Sequence, residues 1–278
     1  MTFRTRIRAA AGPLALLVSL SGVGRGQQAT PGLTMTFLAN EGVMLASGGK
    51  KVLIDALFLK YKTGFATPAD STQAALAAAR APFDNVDLIL ATHYHGDHFH
   101  PGPVAAHLAA NPRATLATSS QVIDSLRGRV RTGGPLDARI LGRTTPPGTR
   151  RRETINGIPI EFLGIPHGTG PSNHLAIQHL AYIVELGGKR VLHIGDAILS
   201  DQNVRAFRLD TARIDVALVP TWVVTGTASR QAIERWVKPK QVVAFHVGEG
   251  EGERASREVR AAMPSAVTLT REREAHRW

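Results

Sequence analysis

The sequence predicts an α/β fold in four layers, an αββα sandwich, and three observations predict it. Short aliphatic runs near the start are joined by glycine-containing turns too tight for anything but antiparallel pairing. That meander pattern recurs in the second half of the chain. In both halves it gives way to strands alternating with helices, which two sheets packed face to face and covered by helices on both outer sides would satisfy. A doubly wound parallel sheet fits less well, because tight glycine turns do not allow its long crossovers. With 278 residues, 43% of them hydrophobic, the chain can bury a large core.

The elements follow in order. Strands are expected over Thr34–Ala39, Val43–Ser47 and Lys51–Asp55, punctuated by Asn40-Glu41-Gly42 and Gly48-Gly49. An alanine-rich helix over Ser71–Ala81 precedes a buried strand, Val86–Thr92. Helix Val104–Ala110, strand Ala114–Thr118 and helix Ser120–Arg127 come next. Arg131–Arg152, rich in Gly, Pro, Arg and Thr, reads as a surface loop with one short strand at Ala138–Leu141. The second meander is Ile158–Ile165, Leu180–Leu186 and Arg190–Ile194, with Gly187-Gly188 as a hairpin turn. Two strand-then-helix units complete the pattern, Asp215–Val219 with Ala228–Val237 and Gln241–His246 with Glu253–Ala262.

Before Thr34 the chain reads as an export signal. Arg4, Arg6 and Arg8 precede an apolar run from Ala9 to Leu20 and then the small, polar stretch SGVGRGQQA. Twelve helical residues rise about 18 Å, short of the roughly 30 Å needed to span a bilayer core, so no stable membrane anchor is expected. Residues 1–26 are therefore expected to be removed, with cleavage between Gly26 and Ala29, leaving 27–278 as one periplasmic or secreted domain. The formal charge of +11 falls to +7 without that segment, and the other arginines are scattered apart from Arg150–Arg152. Aromatic residues are not interleaved with them, so nucleic acid is not the expected partner; a small molecule is. Cysteine is absent, which excludes disulfides, thiolate metal sites and a cysteine nucleophile.

Any metal must then be held by histidine and carboxylate, and His93-Tyr94-His95-Gly96-Asp97-His98 offers both directly after a buried strand. His93 and His95 can point the same way from extended backbone. Gly96 permits a sharp turn, after which Asp97 and His98 can face a second centre. Imidazole and carboxylate suit zinc, and iron and manganese as well.

This loop resembles the signature His-x-His-x-Asp-His of the metallo-β-lactamase superfamily, and four further motifs follow the family's order. They are Asp55 in KKVLIDALF, His167 in IEFLGIPHGTG, Asp196 in GKRVLHIGDA and His246 in KPKQVVAFHVG. The resemblance covers about residues 33–270 and implies two divalent ions, zinc by preference. His93, His95 and His167 would hold the first, Asp97, His98 and His246 the second, and Asp196 both. Asp55 would stand behind the ligands and orient one of them through hydrogen bonds. His174 and His179 compete with His167 for the third position; with Tyr94 and Trp222 they otherwise read as pocket residues. His100, His107 and His193 read as structural, since alternation points His193 away from Asp196.

Two such ions can share a hydroxide, and the reaction class implied is hydrolysis of an ester, lactone, amide or phosphoester, with Asp97 taking the proton of the attacking water. No G-x-S-x-G elbow is present. Aspartate at 196, where authentic β-lactamases carry cysteine or serine, places the resemblance with the general hydrolases. LAYIVELGGKRVLHIGDA looks most like the ascorbate-phosphate lactonase-like branch. Two other readings share the fold: mononuclear iron chemistry on sulfur or oxygen, as in persulfide dioxygenases, and a non-catalytic periplasmic metal-binding protein.

Overall fold

Residues that tolerate positive φ set both meanders. A computed structural model describes residues 1–2, 31–129, 134–168 and 176–278. In it β1 (Thr34–Ala39) turns through Asn40 (φ 50°) into β2 (Gly42–Ser47), and Gly48 and Gly49 (φ 56° and 77°) turn β2 into β3 (Lys50–Ile54). Both pairings are antiparallel. The sheet then continues in parallel through β4 (Leu88–Ala91), β5 (Thr115–Thr118) and β6 (Ile140–Gly142). The connecting helices are α1 (Asp70–Ala77), α2 (Pro101–Ala110) and α3 (Ser120–Arg127).

The second sheet repeats the scheme. β7 (Arg150–Ile155), β8 (Ile158–Gly164), β9 (Leu180–Leu186) and β10 (Lys189–His193) are antiparallel neighbours. From β10 the pairing is parallel through β11 (Val216–Pro220), β12 (Gln241–Phe245) and β13 (Val267–Thr268). Its helices are α4 (Asp201–Arg205), α5 (Thr221–Thr225), α6 (Thr227–Ala232) and α7 (Gly252–Ala262). A last strand, β14 (Ala275–Arg277), returns to pair with β1, so both sheets have seven strands.

Three cores correspond to the three interfaces of the sandwich. Leu45, Val52 and Ile54 of one sheet meet Phe162, Tyr182, Val184 and Phe245 of the other. Leu76, Val104, Leu108 and Val122 cover the outside of the first sheet, and Val204, Val223, Ile233 and Val259 that of the second. β9 shows the alternation that makes this work: Leu180, Tyr182 and Val184 face between the sheets, while Ala181 and Ile183 face the helices.

The four-layer expectation holds, and the differences are local. The end of the expected loop 131–152 is strand instead: Arg150–Ile155 form β7 with polar residues on both faces, because it is an edge strand held by charge. Arg150, Arg152 and Arg190 all contact the buried Glu161, at 3.2, 3.3 and 2.7 Å. The first helix stops at Ala77 instead of Ala81, where Ala79 turns to φ 47°. The helix expected over Ala228–Val237 is α6 followed by one π turn, Ile233–Val237. Trp222, expected in a loop, lies in α5, whose five residues are too few to show a helical period. The export-signal expectation falls outside the described residues apart from Met1 and Thr2. Among the described residues no helix is long and apolar enough to cross a membrane.

Candidate metal centre

β4, β8, β10 and β12 all end at one edge of the sandwich, and the residues just beyond them converge there. The first sheet delivers His93, His95, Asp97 and His98 on the loop after β4. This loop is closed by His98 and Phe99 N–H groups donating to the His95 carbonyl, at 3.1 and 2.9 Å. The second sheet delivers the other three. His167 and Asp196 are joined by backbone: Gly168 N–H donates to the Asp196 carbonyl (2.6 Å) and Ile198 N–H to that of Pro166 (3.0 Å). Gly195 (φ 55°) makes the turn before Asp196, and a Cβ there would lie 2.7 Å from both Thr92 Cβ and His179 Nε2. His246 follows β12 at φ 57°, its N–H donating to the Asn40 carbonyl (2.9 Å).

The side chains gather into two groups. In the first, His93 Nε2 lies 2.8 Å from His95 Nδ1 and 3.2 Å from His167 Nε2. Asp196 Oδ2 is 3.4 Å from His167 Nε2 and 4.0 Å from His93 Nε2. In the second, Asp97 Oδ2 lies 3.4 Å from His98 Nε2 and 3.6 Å from His246 Nε2. Asp196 reaches this group too, with Oδ2 3.6 Å from His98 Nε2 and Oδ1 3.6 Å from His246 Nε2. Ligands about 2.0–2.1 Å from a tetrahedral ion stand about 3.3 Å apart, so these spacings are those of donor atoms around an ion. Donor chemistry agrees, since His98 Nε2, His246 Nε2 and Asp196 Oδ1 are buried with no hydrogen-bond partner.

Asp55, fully buried, sets which ring nitrogens are offered. It accepts from Thr92 N–H (2.7 Å), from Thr92 Oγ1–H (2.6 Å) and from His98 Nδ1–H (2.8 Å). With its proton committed to Asp55, Thr92 Oγ1 can only accept from His93 Nδ1–H, at 3.0 Å. Both histidines therefore turn Nε2 toward the centre. Asn40 steadies Asp97 by donating from Nδ2 to its Oδ2 and its carbonyl, both at 3.2 Å.

Burial is the main influence on the imidazoles. It pushes the His95 pKa down to about 4 and that of His93 well below the ordinary value. Burial also works against the His98 cation, yet Asp196, Asp97 and Asp55 together raise its pKa well above the usual imidazole range. For Asp97 burial favours the neutral acid, but the His98 charge and the close approach of the His246 and His98 rings outweigh it and hold the carboxyl far down.

All seven residues assigned as ligands by resemblance meet here, and Asp55 stands behind them. His179 does not join either group: it packs on His93 and His167 at ring distances of 5.3 and 5.7 Å and donates from Nδ1 to the Ile165 carbonyl (3.1 Å). Tyr94 and Trp222 are exposed beside the site, 5.4 Å from the His95 ring and 4.6 Å from the His246 ring. His174 lies outside the described residues. His100 caps α2 by accepting from Gly102 N–H, His107 donates to the Leu76 carbonyl, and His193 donates to that of Glu41.

Glu41, like Thr92 and Asn40, carries no signal in the sequence that marks it as a site residue. It is fully buried, 3.7 Å from His98 Nδ1, and neither carboxyl oxygen has a hydrogen-bond partner. Burial, reinforced by Asp196, pushes its pKa well up. Asn40-Glu41-Gly42 reads as a surface turn; only the topology, which puts the β1–β2 turn beside the end of β3 and Asp55, could have placed it.

The profile of the β-lactamase superfamily domain matches residues 34–246, from the first strand to the last of the seven converging residues. The chain belongs to the metallo-β-lactamase superfamily. Relatives within reach of sequence comparison include a UPF0173 metal-dependent hydrolase of Pyrococcus furiosus, 26% identical over 76% of this chain and 83% of that one. Another, from Polaromonas sp., is 27% identical over 80% of each chain. Solved structures of the same fold include Igni18, a metallo hydrolase of Ignicoccus hospitalis (TM-score 0.57, 16% identity, 89% of this chain and 98% of that one). YhfI of Bacillus subtilis, a metallo-β-lactamase fold protein, superposes with TM-score 0.60 at 12% identity over 89% of this chain and 100% of that one. Superfamily membership, the named relatives and the donor set agree on a metal-dependent hydrolase.

Proposed function

We propose that this hydrolase works through a pair of divalent metal ions and cleaves an ester, lactone, amide or phosphoester bond of a small molecule outside the cytoplasm. His93, His95 and His167 would hold one ion and Asp97, His98 and His246 the other, with Asp196 shared. The single observation that carries this reading is the position of Asp196, within 3.4–4.0 Å of ring nitrogens in both groups. A second complete group also favours paired ions over mononuclear iron chemistry, and a full donor set favours catalysis over mere metal storage.

Such a pair supplies an activated water at neutral pH and polarises the scissile carbonyl or phosphoryl oxygen. The chain's own residues prepare that chemistry. Asp97, oriented by Asn40, accepts the proton of the attacking water and passes it to the leaving group. His93 and His98 are fixed as Nε2 donors through Thr92 and Asp55, so no tautomer change is needed when metal binds. Zinc suits the histidine-rich first position, and manganese or iron would also be accepted.

A panel of chromogenic esters, lactones, amides and phosphodiesters, run before and after chelator treatment, tests the reaction class. Turnover that chelator removes and zinc or manganese restores is expected; turnover indifferent to chelator would refute the proposal. For export, mass spectrometry of the expressed protein should find a mature N-terminus between Gly26 and Ala29 in the periplasm or medium. An intact N-terminus in the cytoplasm would count against it.

A further inference from the structure

The large apolar side chains exposed to solvent among the described residues are, besides Met1, only Tyr61, Tyr94 and Trp222, at 38%, 39% and 43%. All three border the metal centre. Trp222 lies edge-on to His246 and Tyr94 to His95. Tyr61 packs over Gly96, where a Cβ would come within 2.4 Å of its ring, and lies 5.6 Å from Phe65, which itself lies 5.7 Å from His246. Exposed apolar residues scattered singly need no explanation, but three grouped around one mouth do.

Beside that mouth is a cleft of about 410 Å³. It begins where two of the seven site residues end: Gly168 follows His167, and Ala197 follows Asp196. Ile198, Leu199, Val223 and Trp222 continue the lining, and among the described residues no charged side chain takes part. Ser229, one of its few polar residues, already donates its hydroxyl proton to the carbonyls of Val223 and Gly226. A phosphate or carboxylate bound there would meet no arginine or lysine, which anion recognition calls for. A cavity lined by His179 does hold Arg143, but that guanidinium is engaged by Glu153 at 2.9 Å, and one lined by Val247 and Gly248 holds Lys60.

We infer that this cleft binds an uncharged apolar group of the substrate, and that the bond cleaved belongs to a neutral carboxylic ester or lactone carrying such a group. The inference deepens the metal-hydrolase reading and rests on it for the chemistry, though not for the cleft. Water adds to the acyl carbon, the acyl C–O bond breaks, and the water's proton ends on the departing alkoxide, so no further reactant is required.

The test is a series of p-nitrophenyl esters from acetate to decanoate, with bis-p-nitrophenyl phosphate alongside, on zinc-loaded protein. Burial of each methylene should raise kcat/KM about fourfold until the cleft is full. Trp222→Ala should flatten that slope while metal content by elemental analysis stays that of the wild type. Ala228→Trp, which adds bulk at a residue lining the cleft, should do the same. A flat slope in the wild type, an unchanged slope in both variants, or preference for the phosphodiester would overturn the proposal. Calorimetry with 2-nonanone and metal-free protein reads the cleft apart from the chemistry. Saturable binding lost in Ala228→Trp supports the cleft even if no ester is hydrolysed, whereas no binding counts against it whatever the activity.

Discussion

Asp55→Asn changes one atom of the side chain and should disturb both halves of the metal centre. The aspartate accepts three hydrogen bonds of 2.6–2.8 Å and donates none. An asparagine has one oxygen, which Thr92 N–H requires, so its NH2 must face Thr92 Oγ1 and His98 Nδ1. Thr92 Oγ1–H is then released toward His93 Nδ1, and both histidines are driven toward the tautomer that carries hydrogen on Nε2. Each would present N–H where a lone pair is needed. Loss of such a supporting hydrogen bond lowers metal affinity about 10–100-fold, or about 1.4–2.7 kcal/mol. The switched tautomers satisfy the amide's donors, so the loss falls on metal affinity more than on folding stability. Competition with a chromogenic chelator reads the affinity, and urea denaturation of the metal-free protein reads the stability. Wild-type affinity for both ions in a folded Asp55→Asn protein would refute the tautomer argument.

The remaining predictions concern the water, the turn and the pH dependence. Asp97→Ala should abolish turnover while leaving the ion held by His93, His95 and His167; retained activity in steady-state assays would show that Asp97 does not take the proton. Gly195→Ala places a Cβ 2.7 Å from Thr92 Cβ at φ 55°, so it should cost at least about 1–3 kcal/mol of stability, and an unchanged urea midpoint would contradict the close packing of the two sheets there. Four buried histidines, His93, His107, His179 and His193, and the partly exposed His95 and His100 have pKa values lowered by burial, that of His179 to about 3. Below about pH 6.5 the unfolded chain takes up protons these residues refuse in the fold, so stability falls as pH drops from about 6.5 toward 3. His98 and Glu41 act in the opposite sense, but they are two groups against six. A urea midpoint for metal-free protein that rises across that window would overturn this balance.

Much of the fold was legible because local signals and global layout agree. Glycine pairs fixed the meanders, and α3 runs Ser120–Arg127 as expected, with Ser119 Oγ accepting from Val122 N–H at its start. Each of the seven converging site residues lies on a loop at the end of an apolar strand run, which is why short motifs were enough to find them. What escaped has physical causes. β7 is an edge strand held by arginine–glutamate pairs, so it carries no apolar alternation. α4 and α5 are five residues each, less than two helical turns. Thr92, Asn40 and Glu41 act through hydrogen bonds or burial supplied by distant segments, and nothing in their neighbours in sequence marks them.

Crystals grown with zinc and measured at its absorption edge bear most directly on the paired centre. The anomalous map should hold two peaks about 3.5–4 Å apart, one among His93, His95 and His167 and one among Asp97, His98 and His246, with Asp196 between them. A single peak in that space, or two peaks that Asp196 does not reach, would contradict it.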